Sequence, residues 1–155
     1  MEGKLKVLVR PMKEEDIDSI LQIENASFSV PWTRQAFEEE MNNEMALYLC
    51  LDLDGRVIAY VGIWRILDEG HITNVAVLPE YRGLGFAKLL LKEMLRTCIE
   101  YEIMAVTLEV RESNDSAIAL YEGLGFESKG KRPKYYKSPE EDAIIMWREF
   151  RENEI

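Results

Sequence analysis

Apolar and polar positions along the chain change period several times, and each change marks an element. Ile17, Ile20 and Leu21 recur at helical spacing within residues 13–24, after a short mixed run at 4–10 that stops at Pro11, so the chain opens as strand then helix. Residues 34–43 set Phe37 and Met41 four apart behind Thr33, a residue type that caps helix N-termini, which predicts a second short helix. The pattern then turns to β-formers over 46–52, 56–66 and 71–77, with Asp54-Gly55 between the first two runs as a hairpin signal. An antiparallel meander fits. Leu90, Leu91, Met94, Leu95, Cys98 and Ile99 repeat with helical period from Phe86 to about Tyr101, a long amphipathic helix. An apolar β run at 104–110 follows. Ser113-Asn114-Asp115 then opens a helix whose Ala117, Leu120, Tyr121 and Leu124 fall on one face, and Gly125 stands where a glycine ends such a helix. Strands at 126–129 and 143–147 close the pattern, with Arg132, Pro133, Lys134, Tyr135 and Tyr136 in a long connection between them.

The order strand-helix-helix-strand-strand-strand-helix-strand-helix-strand-strand predicts an α+β fold, a mixed and mostly antiparallel central sheet flanked by helices. A length of 155 residues with 47% apolar content suits one domain, expected over 1–150, with 151–155 as a frayed tail. Lys+Arg at 19 against Asp+Glu at 29 gives a net charge of −10, which argues against direct binding to a nucleic-acid backbone and favours a cationic partner. Cys50 and Cys98 lie in apolar stretches without a CxxC or Cys/His cluster, so neither a disulfide framework nor a metal site is expected, and a reducing, cytoplasmic setting follows. A charged N-terminus and the absence of any long apolar run predict neither export nor membrane insertion.

Chemistry concentrates at two strand-to-helix junctions. Around Arg82, Gly83, Leu84, Gly85, Phe86, Ala87 and Lys88 a glycine-bearing loop feeds the long helix, so free backbone N–H groups gather at the positive end of a helix dipole, where phosphate binds without a basic protein. The loop is neither a Walker A nor a dinucleotide fingerprint. At the second junction Glu109 alternates with apolar Leu108 and Val110 on a strand expected beside the first, and Asn114 follows at the next helix start. Parallel strand ends that face helix N-termini form the crevice where open α/β sheets bind ligands. Tyr121 is open between a core aromatic and a proton donor, and the single histidine, His71, reads as structural.

These residues also carry a resemblance. Asn74 through Ala87 resembles the acetyl-CoA motif of the GCN5-related N-acetyltransferases (GNAT), whose core is Gln or Arg, two residues, Gly, one residue, then Gly or Ala; Arg82, Gly85 and Ala87 fill it. Leu108-Glu109-Val110-Arg111-Glu112-Ser113-Asn114, with Ala117, Leu120-Tyr121-Glu122 and Leu124-Gly125-Phe126, resembles the RimI-type N-terminal alanine acetyltransferases, as do Ser29-Val30-Pro31-Trp32, Tyr135-Tyr136 and the run Asp142-Ala143-Ile144-Ile145-Met146. The resemblance spans nearly the whole chain. It implies a single GNAT fold with acetyl-CoA as co-substrate, held by backbone groups of Val75, Ala76 and Val77, by the Arg82 to Lys88 loop and by Asn114. It further implies Glu109 as general base and Tyr121 as general acid, with a protein N-terminus, on a basic ribosomal protein, as acceptor. Trp32 and Tyr136 are candidate walls of the peptide path.

The chemistry so implied is direct transfer, in which only a neutral amine attacks the thioester. An α-amino group near pKa 7.8 is about 2.6 units easier to neutralise than a lysine near 10.4, roughly 3.5 kcal/mol, so a carboxylate base suits an α-amine. The competing expectations are a GNAT acting on a polyamine or on lysine side chains, and an acyl-CoA-binding domain without catalysis, which would have lost the acid or the base.

Overall fold

The computed structural model describes residues 5–155. Seven strands form one sheet: β1 (Val7–Pro11), β2 (Ala46–Leu53), β3 (Arg56–Ile66), β4 (Glu69–Val77), β5 (Ala105–Arg111), β6 (Glu127–Tyr136) and β7 (Glu141–Glu149), in the order β1-β2-β3-β4-β5-β7-β6. Four helices accompany them: α1 (Ile17–Ser27), α2 (Arg34–Met41), α3 (Phe86–Glu100) and α4 (Asp115–Gly123). Neighbouring strands are antiparallel except β4 and β5, which run parallel. The architecture and order of elements match the α+β expectation. Local chemistry explains the boundaries: Thr33 Oγ1 accepts from the Ala36 N–H at 3.2 Å and starts α2, while Gly125, at φ +94°, follows the last turn of α4. Ile17, Ile20 and Ile23 of α1 and Leu90, Leu91, Met94 and Cys98 of α3 are fully buried with Ile58, Tyr60 and Ile63 of the sheet. Each large apolar side chain so buried contributes about 1.5–3 kcal/mol.

One expectation needs correction. Residues 132–136 are not a connection; they are the second half of β6, an edge strand exposed at every position before Tyr136. With no buried face there is no alternation to read, and Pro133 is tolerated because an edge strand leaves one row of backbone groups unpaired. A 3-10 turn at Glu152–Glu154 returns the Glu154 carboxylate to Arg148 of β7, with Nη1 to Oε1 at 2.9 Å. The first predicted strand begins at Val7, and Lys4 lies outside the described residues. No helix among the described residues is long and apolar enough to cross a membrane.

One departure from regularity positions everything that follows. β4 and β5 pair only at Glu69, Gly70 and His71, opposite Ala105, Val106 and Thr107. Beyond His71 and Thr107 the ladder ends, so the C-terminal halves of the two parallel strands bound an open wedge at the middle of the sheet. Thr73 is the extra residue of a bulge in β4, since Gly62 faces Asn74 while Ile63 faces Ile72. Such bulges re-aim a strand.

Candidate active site

The wedge has a donor edge. Leu78 N–H bonds to the Ile58 carbonyl across β3 at 2.8 Å, so the alternation of an antiparallel pair gives that direction to Ala76 as well and turns Val75 and Val77 toward the wedge. Of the three residues expected to offer backbone groups, Val75 and Val77 face the gap. Ala76 instead pairs with Tyr60. At the end of β4 the chain enters the glycine loop. Gly83 and Gly85 hold φ +75° and +87°, the left-handed region that glycine enters without a Cβ penalty, and open space surrounds both. Gly85 caps α3 without a side-chain bond, which leaves the N–H groups of Phe86, Ala87 and Lys88 at the positive end of a 15-residue helix. Leu84 and Lys88 are exposed beside them. Arg82, itself exposed, lies back along the chain: Nε donates to the Val77 carbonyl at 2.9 Å and Nη2 to Ser27 Oγ at 3.0 Å, so the side chain fastens the end of β4 to α1. Across the wedge Asn114 Oδ1 accepts from the Ala117 N–H at 3.2 Å and caps α4. The residues fit an anionic, phosphate-bearing ligand carried by backbone donors rather than by side-chain charge.

Opposite lie the titratable groups. Val106, Leu108 and Val110 of β5 are buried on one sheet face, which turns Glu109 to the other. The Glu109 side chain is 9% exposed, and its Oε1 lies 2.7 Å from His71 Nε2. Tyr135 donates its hydroxyl to the same oxygen at 3.4 Å, and Arg132 Nε stands 3.8 Å from Oε2. The hydrogen bond from His71, with support from Arg132 and Tyr135, holds the carboxyl below its ordinary range against the opposing effect of burial. Tyr121 is 6% exposed and packs on Phe126, ring centroids 5.8 Å apart. Burial pushes its phenol up to about 12.

The acceptor side is framed by aromatics. Tyr136 lies beneath the Arg111 guanidinium, 4.3 Å from the ring centroid, and meets Tyr135 edge-on at 5.0 Å. Burial first, then the nearby phenol of Tyr135, the carboxylate of Glu109 and the phenol of Tyr121, push the Tyr136 phenol upward, with Arg111 opposing. Trp32 packs on Phe37 at 5.4 Å, and its backbone N–H bonds to Glu24 Oε2 at 2.8 Å. The loop after α1 meets the β6–β7 hairpin where Ser29 Oγ donates to the Ser138 carbonyl at 2.8 Å. Trp32 and Tyr136 therefore stand on two segments that touch.

His71, Arg132 and Tyr135 were not among the residues read as functional. His71 reads as structural because nothing nearby in the sequence is a partner; the parallel pairing sets it one residue pair from Glu109, 38 positions away. Arg132 and Tyr135 reach Glu109 because β6 extends through the stretch taken for a loop. Cys50 and Cys98 are buried and free, burial pushing both thiols up, to about 11 and about 12. No group of three or more metal-ligating side chains occurs among the described residues.

A splayed β4–β5 pair, a glycine loop at a helix start and an enclosed carboxylate across the gap are the parts that an acyl-transfer site of the acetyltransferase class requires. Comparison with known proteins agrees: the model of the acetyltransferase (GNAT) family matches residues 17–126. The chain belongs to this family. It is 42% identical over 145 residues to the putative ribosomal protein bS18-alanine N-acetyltransferase of Bacillus subtilis, covering 93% of this chain and 96% of that protein. With the ribosomal protein bS18-alanine N-acetyltransferase of Haemophilus influenzae it shares 38% identity over 136 residues, 84% of this chain and 90% of the relative. Among solved structures, the ribosomal-protein-S18-alanine N-acetyltransferase of Escherichia coli superposes with a TM-score of 0.87 at 31% identity, covering 96% and 98% of the two chains.

Proposed function

We propose that the protein transfers the acetyl group of acetyl-CoA to the N-terminal α-amine of a protein, with a ribosomal protein beginning with alanine as the acceptor class. The observation that carries this reading is Glu109, nearly buried and held by His71 on the face opposite Leu108 and Val110, beside a wedge whose other wall is a backbone-lined anion cradle. The names of relatives that align over most of both chains support the acceptor class.

Acetyl-CoA lies with its pyrophosphate at Gly83, Gly85 and the first turn of α3 and its thioester between β4 and β5. The N–H groups of Val75 and Val77 face the carbonyl and stabilise the charge that grows on its oxygen, the kind of fixed donor that contributes most in acyl transfer. Glu109 takes the proton of the attacking amine. A carboxyl held low is a weak base, so its reach is limited: an α-ammonium near pKa 7.8 lies a little over 3 units above an ordinary carboxyl, a lysine about 6. That difference favours the α-amine. As the C–S bond breaks, Tyr121 donates its hydroxyl hydrogen to sulfur. Against a free thiol near 8.5 a phenol is the weaker acid, and burial raises it further, but the same burial raises the departing sulfur's affinity for a proton.

CoA release from acetyl-CoA and a peptide starting with alanine tests the reading, set against the Nα-blocked peptide and spermidine. Preference for the free α-amine supports it, and equal or better use of spermidine or a lysine side chain contradicts it.

A further inference from the structure

A cavity of about 390 Å³ adjoins the acceptor side of the site, with Trp32, Trp64, Ala36, Glu39 and Glu40 among its walls. Its position follows from the sheet register. Trp64 on β3 is the cross-strand partner of His71, and His71 pairs with Thr107, two residues before Glu109, so Trp64, His71 and Glu109 share one face. Two strand spacings of about 4.8 Å across the sheet and two residues of about 3.3 Å along β5 put Trp64, at the cavity wall, about 12 Å from Glu109, which an extended polypeptide crosses in about four residues.

The chemistry of the walls selects a cation. Glu40 is 7% exposed, with Oε1 accepting from the Tyr48 hydroxyl at 2.9 Å and from Trp64 Nε1 at 2.6 Å, and Oε2 from Asn43 Nδ2 at 3.1 Å. Every donor is neutral. Among the described residues no lysine, arginine or histidine forms an ion pair with Glu39 or Glu40. A carboxylate enclosed with neutral donors alone keeps a negative potential, which a positive group answers at small further desolvation cost. Two indoles supply the rest: their faces attract ammonium and guanidinium groups, and an aliphatic stem packs against them. An anionic or purely apolar side chain gains nothing from the carboxylates.

We propose that this cavity binds a lysine or arginine side chain of the acceptor polypeptide, three or four residues downstream of the acetylated amine, and so sets substrate preference. The proposal rests on the N-terminal acetyltransfer reading above for the acceptor's direction of approach. Its cation chemistry rests on Glu39, Glu40 and the two tryptophans alone.

Two readouts test it. In alanine-initiated hexapeptides of otherwise neutral sequence, a single arginine moved through positions 2–6 raises kcat/KM about tenfold at position 4 or 5, chiefly through KM. Glu39→Gln and Trp64→Phe each abolish most of that gain and leave the all-neutral peptide within about twofold of wild type. The second readout needs no turnover: an Nα-acetylated arginine hexapeptide shifts tryptophan fluorescence saturably in wild type and much less in Glu39→Gln. Peptides acetylated with no dependence on arginine position overturn the cavity assignment while the acetyltransfer reading stands. Absence of acetylation of every peptide, with the fluorescence shift intact and weakened by Glu39→Gln, removes the acetyltransfer reading while the cation site stands. Spermidine that saturates the shift and that the peptide cannot displace overturns the assignment to an acceptor side chain.

Discussion

Glu109 is the residue on which most depends, because three side chains from β4 and β6 converge on its two oxygens. Glu109→Gln keeps the shape and removes the base. We expect kcat/KM for an alanine-initiated peptide to fall by 10²-fold or more, the usual weight of a general base, with the KM for acetyl-CoA unchanged; initial-rate kinetics measure both. The same carboxyl carries a pH signature in stability. Its pKa is lower folded than unfolded, so its contribution is complete above the unfolded value of about 4.3 and is lost as pH falls through the folded value. Thermal unfolding from pH 6 to pH 3 therefore shows wild type and Glu109→Gln converging in Tm, and a gap that widens toward acid contradicts the assignment. Tyr121→Phe lowers kcat by 10²-fold or more without changing acetyl-CoA affinity. Because the phenol lies near 12, Tyr121 imposes no loss of activity below about pH 11.

At the scale of elements, the splay of β4 from β5 creates the site, and the glycine loop and α3 supply its anion end. Gly85→Ala forces a left-handed residue, costing roughly 1–2 kcal/mol. With no neighbouring atom within 4 Å of the added carbon, the harm appears as a higher KM for acetyl-CoA with a lower Tm and little change in kcat. Gly62 contrasts with it. A Cβ there collides with the Tyr48 ring, so Gly62→Ala lowers Tm through overpacking of about 1–3 kcal/mol and disturbs the support of Glu40. Helical and strand elements with a buried face were legible in the sequence because Leu90, Leu91, Met94 and Cys98, or Leu108 and Val110, repeat with the period of their element. The second half of β6 was not, since an edge strand exposed on both faces writes no period. Glu109 and Tyr121 became candidates through resemblance. Their environment was not legible: the His71 contact depends on strand register, and those of Arg132 and Tyr135 on the missed half of β6.

For the whole molecule, a net charge of −10 and a phosphate-bearing co-substrate coexist because the cradle is local, built from backbone N–H groups and a helix end. Under the proposed function, surplus acid elsewhere draws a basic acceptor. Raising ionic strength from about 0.02 to 0.5 M shortens the Debye length severalfold, so kcat/KM for a basic alanine-initiated peptide falls steeply while that for a neutral one stays nearly flat; equal slopes contradict steering. The central claim is that this site acetylates a free α-amine with Glu109 as base. Its most direct measurement is CoA release by wild type and Glu109→Gln on one alanine-initiated, lysine-containing peptide, free and Nα-blocked. The account predicts rapid release only with the free peptide and wild type; release with the blocked peptide, or undiminished in Glu109→Gln, contradicts it.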